Sequence, residues 1–182
     1  MGSGASLCDR KGYTRSSGLR RDTFLHLHLE KHMDTSSPSD VLIRLASEDD
    51  IPRLVEMGRR FREESSYSKY LADNPERMAV LGKHLLLSDG LLVAEKDGKI
   101  IGMLGFIIHS HFISGETVAG EVFWWMEPEH RGDGLKLLDE TKRRARLAGA
   151  KYLHMIAPSE RVARLYKHLH YEFVESTFQI NL

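Results

Sequence analysis

"EHRGDGLKLLDE", Glu129 to Glu140, is the stretch on which the fold turns. Arg131 leads, Gly132, Asp133 and Gly134 follow, and a leucine-rich pattern of helical spacing begins at Leu135. Glycine costs backbone entropy in ordered structure, so two of them at a helix start are expected where the chain turns tightly or comes close to something. Just upstream, "ETVAGEVFWWMEP" is rich in β-branched and aromatic residues and is ended by Pro128, the marks of a strand. The glycines therefore sit at a strand-to-helix junction. First-turn N–H groups have no intrahelical partner, and with the helix dipole they form an anion site that glycines open to a phosphate. Neither the Walker loop nor the Gly-x-Gly-x-x-Gly fingerprint fits, because Leu137 stands where the third glycine of the fingerprint belongs.

Working outward, the following helix runs from Leu135 to Ala148, and Gly149 is placed to cap its C-terminus. "KYLHMIA" then reads as a strand, "SERVARLYKHL" as a helix capped by Ser159, and "YEFVESTFQINL" as a final strand. In the other direction, "GLLVAEKDGKIIGMLGFIIH" holds two apolar runs joined by Asp97-Gly98, a hairpin signal. "DNPERMAVLGKHLLL" has Asn74 as cap and Pro75 at the first helical position. "VLIRLA" (Val41 to Ala46) is a strand, and Ser47 with Asp50 three residues on opens a helix whose apolar stripe is Ile51, Leu54, Val55, Met57 and Phe61. "REESSYSKYLA", between the two helices, reads either as a lid or as a plain surface connection. The order β-α-α-β-β-β-α-β-α-β predicts a mixed, mostly antiparallel sheet flanked by helices, in the α/β to α+β range.

The chain has 182 residues, and its 26 Lys+Arg balance 26 Asp+Glu, so no overall charge draws it to nucleic acid or an anionic membrane. No apolar run approaches the roughly 20 residues of a membrane span. Cys8 is the single cysteine and cannot form an internal disulfide, which suits a reducing, cytoplasmic setting. Residues 1–40 are rich in Ser, Gly, Arg and His and read as a flexible leader, with only Thr23 to His32 hinting at regular structure; the functional domain is expected over 41–182.

The run from Val122 to Phe173 resembles the central and C-terminal half of the GNAT superfamily of N-acetyltransferases. Met126 through Leu138 resembles the family's acetyl-coenzyme A segment, a hydrophobic strand, then Pro-x-x-Arg-Gly-x-Gly-aliphatic, then a helix. "SERVARLYKHLHYEF" resembles the later segment, in which a helix carries a tyrosine before a short strand. The chain departs from the common pattern at Glu129, Lys136, Ser159 and His170. The resemblance implies acetyl-coenzyme A as cofactor, its pyrophosphate held by the backbone amides of Arg131, Gly132, Asp133, Gly134, Leu135 and Lys136. It also implies that the main chain at Trp125 and Met126 binds the acetyl carbonyl and the pantetheine arm, and that Ser159 is a cofactor-binding residue.

Acetyl transfer to an amine needs a neutral nucleophile, a stabilised oxyanion and a proton for the leaving thiolate. Tyr166 occupies the family's tyrosine position and is the expected acid; its other reading is a packing tyrosine between helix and sheet. Glu121, a lone carboxylate in an apolar strand, is the expected base, with a solvent-facing carboxylate as the alternative. Strand alternation groups Glu121, Phe123 and Trp125 on one face. Phe61, Tyr67, Tyr70, Phe112 and Trp125 are candidates for the acceptor pocket or for the core. His109, His111 and His154 lie near strand ends, but no third ligand is spaced to make His109 and His111 a metal site. Lys142, Arg143 and Arg146 read as a solvated helix face rather than a nucleic-acid stripe. The expected partner is a small-molecule or peptide amine; a base of nucleic acid or an aminoacyl-tRNA, a silent coenzyme A-binding module and a homodimer are the alternatives.

Overall fold

The computed structural model describes residues 40–180. Cys8, residues 1–39 of the leader and the stretch from Thr23 to His32 lie outside these residues.

Five strands form one sheet in the order β1-β2-β3-β4-β5. They are β1 (Leu42–Leu45), β2 (Leu91–Lys96), β3 (Lys99–Ser110), β4 (Thr117–Met126) and β5 (Tyr152–His154). β1 to β4 pair antiparallel, and β5 joins β4 in parallel. The β2–β3 hairpin turns on Asp97 and Gly98, both with φ near +50 to +70° (52° and 71°), the left-handed pair that a two-residue turn needs to match strand twist.

Helices α1 (Ile51–Glu64) and α2 (Pro75–Leu87) cover one face of the sheet. Their core joins Ile51, Leu54, Met57 and Leu85 to Leu91, Val93, Met103 and Trp125. The other face carries α3 (Gly134–Leu147), where Leu137 and Ala145 pack on Leu92, Ala94, Leu104, Phe106, Ala119 and Met126. Local signals placed these helices. Asp50 accepts from the Ser47 amide at 2.7 Å and is held by Arg44 at 2.7 Å. Asn74 caps α2 through the Arg77 amide at 2.9 Å, and Gly149, at φ 78°, ends α3. The segment between α1 and α2 is an exposed connection with a 3-10 turn, Ser66–Lys69, tied back to α1 by Arg62 to the Leu71 carbonyl at 2.7 Å and Arg59 to Asp73 at 2.8 Å.

Two expectations are corrected. The final strand does not form: after α4 (Glu160–His168), residues 171–180 carry no regular structure, and Phe173, Val174, Phe178 and Ile180 are exposed. A period-two pattern permits a strand but does not select a partner edge for it. The second correction concerns β4. Gly105 pairs with Phe123 but Phe106 pairs with Glu121, so Val122 is an extra residue. A bulge of one residue reverses the side-chain pattern beyond it. Glu121 therefore shares its face with Ala119, Trp124 and Met126, toward α3, while Phe123 and Trp125 face α1 and α2.

Candidate active site

β4 and β5 stay together for only three pairs, Val118 with Tyr152, Ala119 with Leu153 and Gly120 with His154. Beyond Gly120 the chain after β5 leaves the sheet, and that edge of β4, from Glu121 to Met126, has no strand beside it among the described residues. Main-chain polar groups on an unpaired edge are available to an extended ligand. The bulge lies at the mouth of this split, and two side chains meet there.

Glu121 projects from β4 and accepts from the Ile156 amide through Oε2 at 2.9 Å. Tyr166, buried on α4, donates to the Ile156 carbonyl at 3.3 Å. Both polar groups of one peptide residue thus fix the two side chains against each other. Burial pushes the Glu121 carboxyl up to about 7, opposed by the Ile156 amide and the Tyr166 hydroxyl. Burial and the nearby Glu121 charge push the Tyr166 phenol well above its ordinary value, so it stays protonated. Tyr166 stacks on Trp124, with centroids 6.3 Å apart at 20°, and leans on Tyr171 at 5.3 Å. The Trp124 indole N–H is buried with no hydrogen-bond partner among the described residues.

The glycine stretch answers two different needs. A Cβ on Gly134 would come within 3.2 Å of both Met126 Cγ and Trp124 Cζ2, so this glycine lets the start of α3 lie directly on β4. A Cβ on Gly132 would meet nothing within 4 Å, so its backbone borders open space. Pro128–Asp133 is wound as a 3-10 helix, and the Gly134 amide donates to the Arg131 carbonyl. The expected row of free amides from Arg131 to Lys136 is therefore already engaged at Gly134. Leu135 is exposed, and Lys136 lies 3.2 Å from Asp133 and 3.3 Å from Asp40. Ser159 caps α4, accepting from the Val162 amide at 3.4 Å; sequence reading found that cap.

On the α1 face a second cluster forms. Trp125 meets Phe61 edge-on at 6.3 Å, and Phe61 meets Tyr67 at 6.1 Å. The Arg131 guanidinium lies over Trp125, 5.3 Å from the ring centroid, and pairs with Glu64 at 2.5 Å. Beside them Glu127, buried at the end of β4, is clamped by Arg53 and Arg60 of α1, each at 2.6 Å. Sequence reading missed this triad, whose members are 74 and 67 positions apart along the chain (127 − 53 and 127 − 60). Tyr70 and Phe112 do not join the aromatic cluster; Phe112 is exposed and stacks on His111 at the β3–β4 turn. Among the described residues no three His, Cys, Asp or Glu side chains are arranged to hold a metal ion, and no helix is long and apolar enough to cross a membrane. On α3, Lys142 pairs with Asp139 and Arg143 and Arg144 with Glu140, so most of the basic run is neutralised by its own helix.

A family model described as acetyltransferase (GNAT) family matches residues 53–171. Among curated proteins no relative matches. Solved structures with a similar fold include a ribosomal-protein-alanine N-acetyltransferase from Brucella melitensis biovar Abortus 2308, 20% identical, TM-score 0.60, covering 79% of this chain and 99% of that one. A predicted acetyltransferase from Clostridium acetobutylicum, solved with acetyl-CoA, is 18% identical with TM-score 0.62, covering 78% and 96%. An aminoglycoside N-acetyltransferase in complex with CoA is 16% identical with TM-score 0.64, covering 79% and 95%. At these identities the likeness is one of fold.

Proposed function

We propose, from the premise that the chain belongs to the acetyltransferase (GNAT) family, that it transfers an acetyl group from acetyl-coenzyme A to a primary amine by direct attack within a ternary complex. The observation that carries this reading is the meeting of Glu121 and Tyr166 on Ile156 at the mouth of the β4–β5 split. The residues suit the cofactor. Gly132 borders open space at the start of α3, the β4 edge from Glu121 to Met126 is free for an extended amide-bearing arm, and Trp124 offers a buried N–H in need of an acceptor.

Bound there, acetyl-coenzyme A would supply an activated acyl group as a thioester. The chain's own residues do the rest. The helix start around Gly132, Leu135 and Lys136 holds the diphosphate, and the main chain at Trp125 and Met126 orients the acyl arm. Glu121, with a carboxyl near neutrality, takes the proton from the attacking amine. Tyr166 holds a proton at its hydroxyl for the leaving sulfur. Among the described residues the split holds no cysteine that could carry the acyl group, in keeping with direct transfer. The catalytic unit is residues 41–182, in a protein that works in the cytoplasm. Thiol release from acetyl-coenzyme A over a panel of primary amines is the test; release that no amine accelerates would refute transfer to an amine.

A further inference from the structure

The segment after α4 is anchored at one end and uncovered along the rest. At its root the Tyr171 amide donates to the Tyr166 carbonyl at 2.9 Å, the Tyr171 ring leans on Tyr166 at 5.3 Å, and the Lys142 ammonium lies over that ring at 5.6 Å. From there the chain carries no regular structure, yet Phe173, Val174, Phe178 and Ile180 are 74%, 75%, 92% and 81% exposed. Apolar side chains that stand singly at a surface need no explanation, but four within 173–180 form a patch, and patches mark interfaces.

The edge of β5 is too short to take it. β5 is three residues long, and at about 3.3 Å per residue more than half of 174–180 would overhang that edge. The segment does fit itself. In "VESTFQI", Val174 to Ile180, an antiparallel pair related by a two-fold axis through Thr177 sets Val174 opposite Ile180 of the other copy, Ser176 opposite Phe178 and Glu175 opposite Gln179. No carboxylate then faces another, which like charges on paired strands would penalise. Strand alternation puts Val174, Phe178 and Ile180 of both copies on one face and Glu175, Thr177 and Gln179 on the other. Two strands alone are marginal in water. This ribbon starts beside α3, however, where Lys142, Ala145, Arg146, Ala150 and Leu153 line a groove of about 120 Å³ between α3 and β5.

We infer that the chain forms a two-fold dimer in which residues 174–180 of two copies pair antiparallel about Thr177. Each copy gives and receives the same contacts, so the assembly closes at two. The pairing takes on the order of 1,000 Å² out of water, at the lower bound for a specific interface. The dimer therefore forms and separates with concentration. It stands whether or not the chain moves acetyl groups, because no residue of the Glu121–Tyr166 pair enters it.

Sedimentation of the full chain over about a hundredfold range of concentration tests this; the expected result is a mass that climbs from one chain to two and no further. Phe178→Glu places a carboxylate on the apolar face of each strand and should hold the protein at one chain. The Tm of dilute protein should not change, since a side chain 92% exposed holds little of the single chain together. Cross-linking reads the register. With Cys8→Ser removing the single native cysteine, Thr177→Cys brings two thiols face to face, and diamide as oxidant should link the chains. Glu175→Cys leaves its two thiols four residues apart along the ribbon, about 13 Å, where a disulfide needs Cα atoms within about 7 Å, and it should stay unlinked. A single chain at every concentration, a dimer that survives Phe178→Glu, or equal linking at 175 and 177 would overturn the pairing. So would a one-chain protein whose 174–180 amides resist hydrogen exchange, which would put the segment on an edge of its own chain.

Discussion

Burial is what lifts Glu121 out of the ordinary carboxylate range. Its carboxyl sits at about 7 in the folded chain against an ordinary 4.5, chiefly through desolvation. Acetyl transfer is expected to rise as pH climbs through about 7. In Glu121→Gln that rise disappears and kcat drops about 10²-fold, while any rise at higher pH from the acceptor amine remains; a pH–rate profile of both proteins shows it. The same shift acts on stability with the opposite sign. Between 4.5 and 7 the folded state binds a proton that the unfolded state has lost, so the contribution is full below 4.5 and lost as pH rises through 7. That is about 3 kcal/mol, and melting at pH 5 and pH 8 should show a smaller difference in Glu121→Gln than in the unaltered protein. Tyr166 differs, since its phenol is protonated at every physiological pH. Tyr166→Phe keeps the stack on Trp124 and removes only a 3.3 Å hydrogen bond. We expect a loss of about 10²-fold in kcat with coenzyme A affinity kept, read by steady-state kinetics beside calorimetry. Full activity in that variant would remove Tyr166 as the acid.

The helices and hairpin were legible because their signals are local. Asn74 and Pro75 open α2, Gly149 closes α3, and Asp97-Gly98 turns the hairpin by conformations that those residues adopt at little cost. β4 was legible as a strand but not as a bulged one. An extra residue at Val122 is a matter of register against β3, and nothing inside "AGEVFWWM" announces it. That is why alternation put Glu121 with Trp125 when the sheet lies between them. The final strand failed for a related reason, since a period-two pattern names no partner edge. The two loop glycines show how one motif hides two causes. In Gly134→Ala the new methyl presses on Trp124, pinned by Tyr166, and on Met126, which abuts Gly102. Neither can yield, so we expect a loss of about 1–3 kcal/mol. Gly132→Ala meets open space at an ordinary φ and should stay within about 0.5 kcal/mol, while weakening coenzyme A. Denaturant unfolding of the two variants checks the contrast; equal stability would contradict the packing role of Gly134. Glu127→Ala belongs beside them. It leaves Arg53 and Arg60 without the buried carboxylate that ties α1 to the end of β4. Because both arginines reach water, the cost should fall at about 2–3 kcal/mol, below the range for fully buried pairs.

What these parts make together is a sheet complete on one side and parted on the other. β1 to β4 form a continuous ladder with a core on each face, whereas β5 contributes three pairs before the chain diverges toward α4. The start of α3, the free edge of β4 and the Tyr166 helix therefore border the same opening without a strand to join them. A ligand running from Gly132 past Trp124 to Tyr166 would bridge all three, and it would bind only where all three are folded. Such a ligand stabilises by RT ln(1 + [L]/Kd), about 2.7 kcal/mol at a hundred times its dissociation constant. For a chain of this size, that corresponds to a rise in Tm of about 5–10 °C. Adenosine monophosphate carries neither the diphosphate nor the pantetheine arm, so it reaches one part of the opening and should raise Tm by far less. Thermal melting with coenzyme A, adenosine monophosphate and no ligand measures this directly. Equal shifts from the two ligands would mean that the split between β4 and β5 takes no part in binding, and the placement of Glu121 and Tyr166 at its mouth would then have no bearing on acyl transfer.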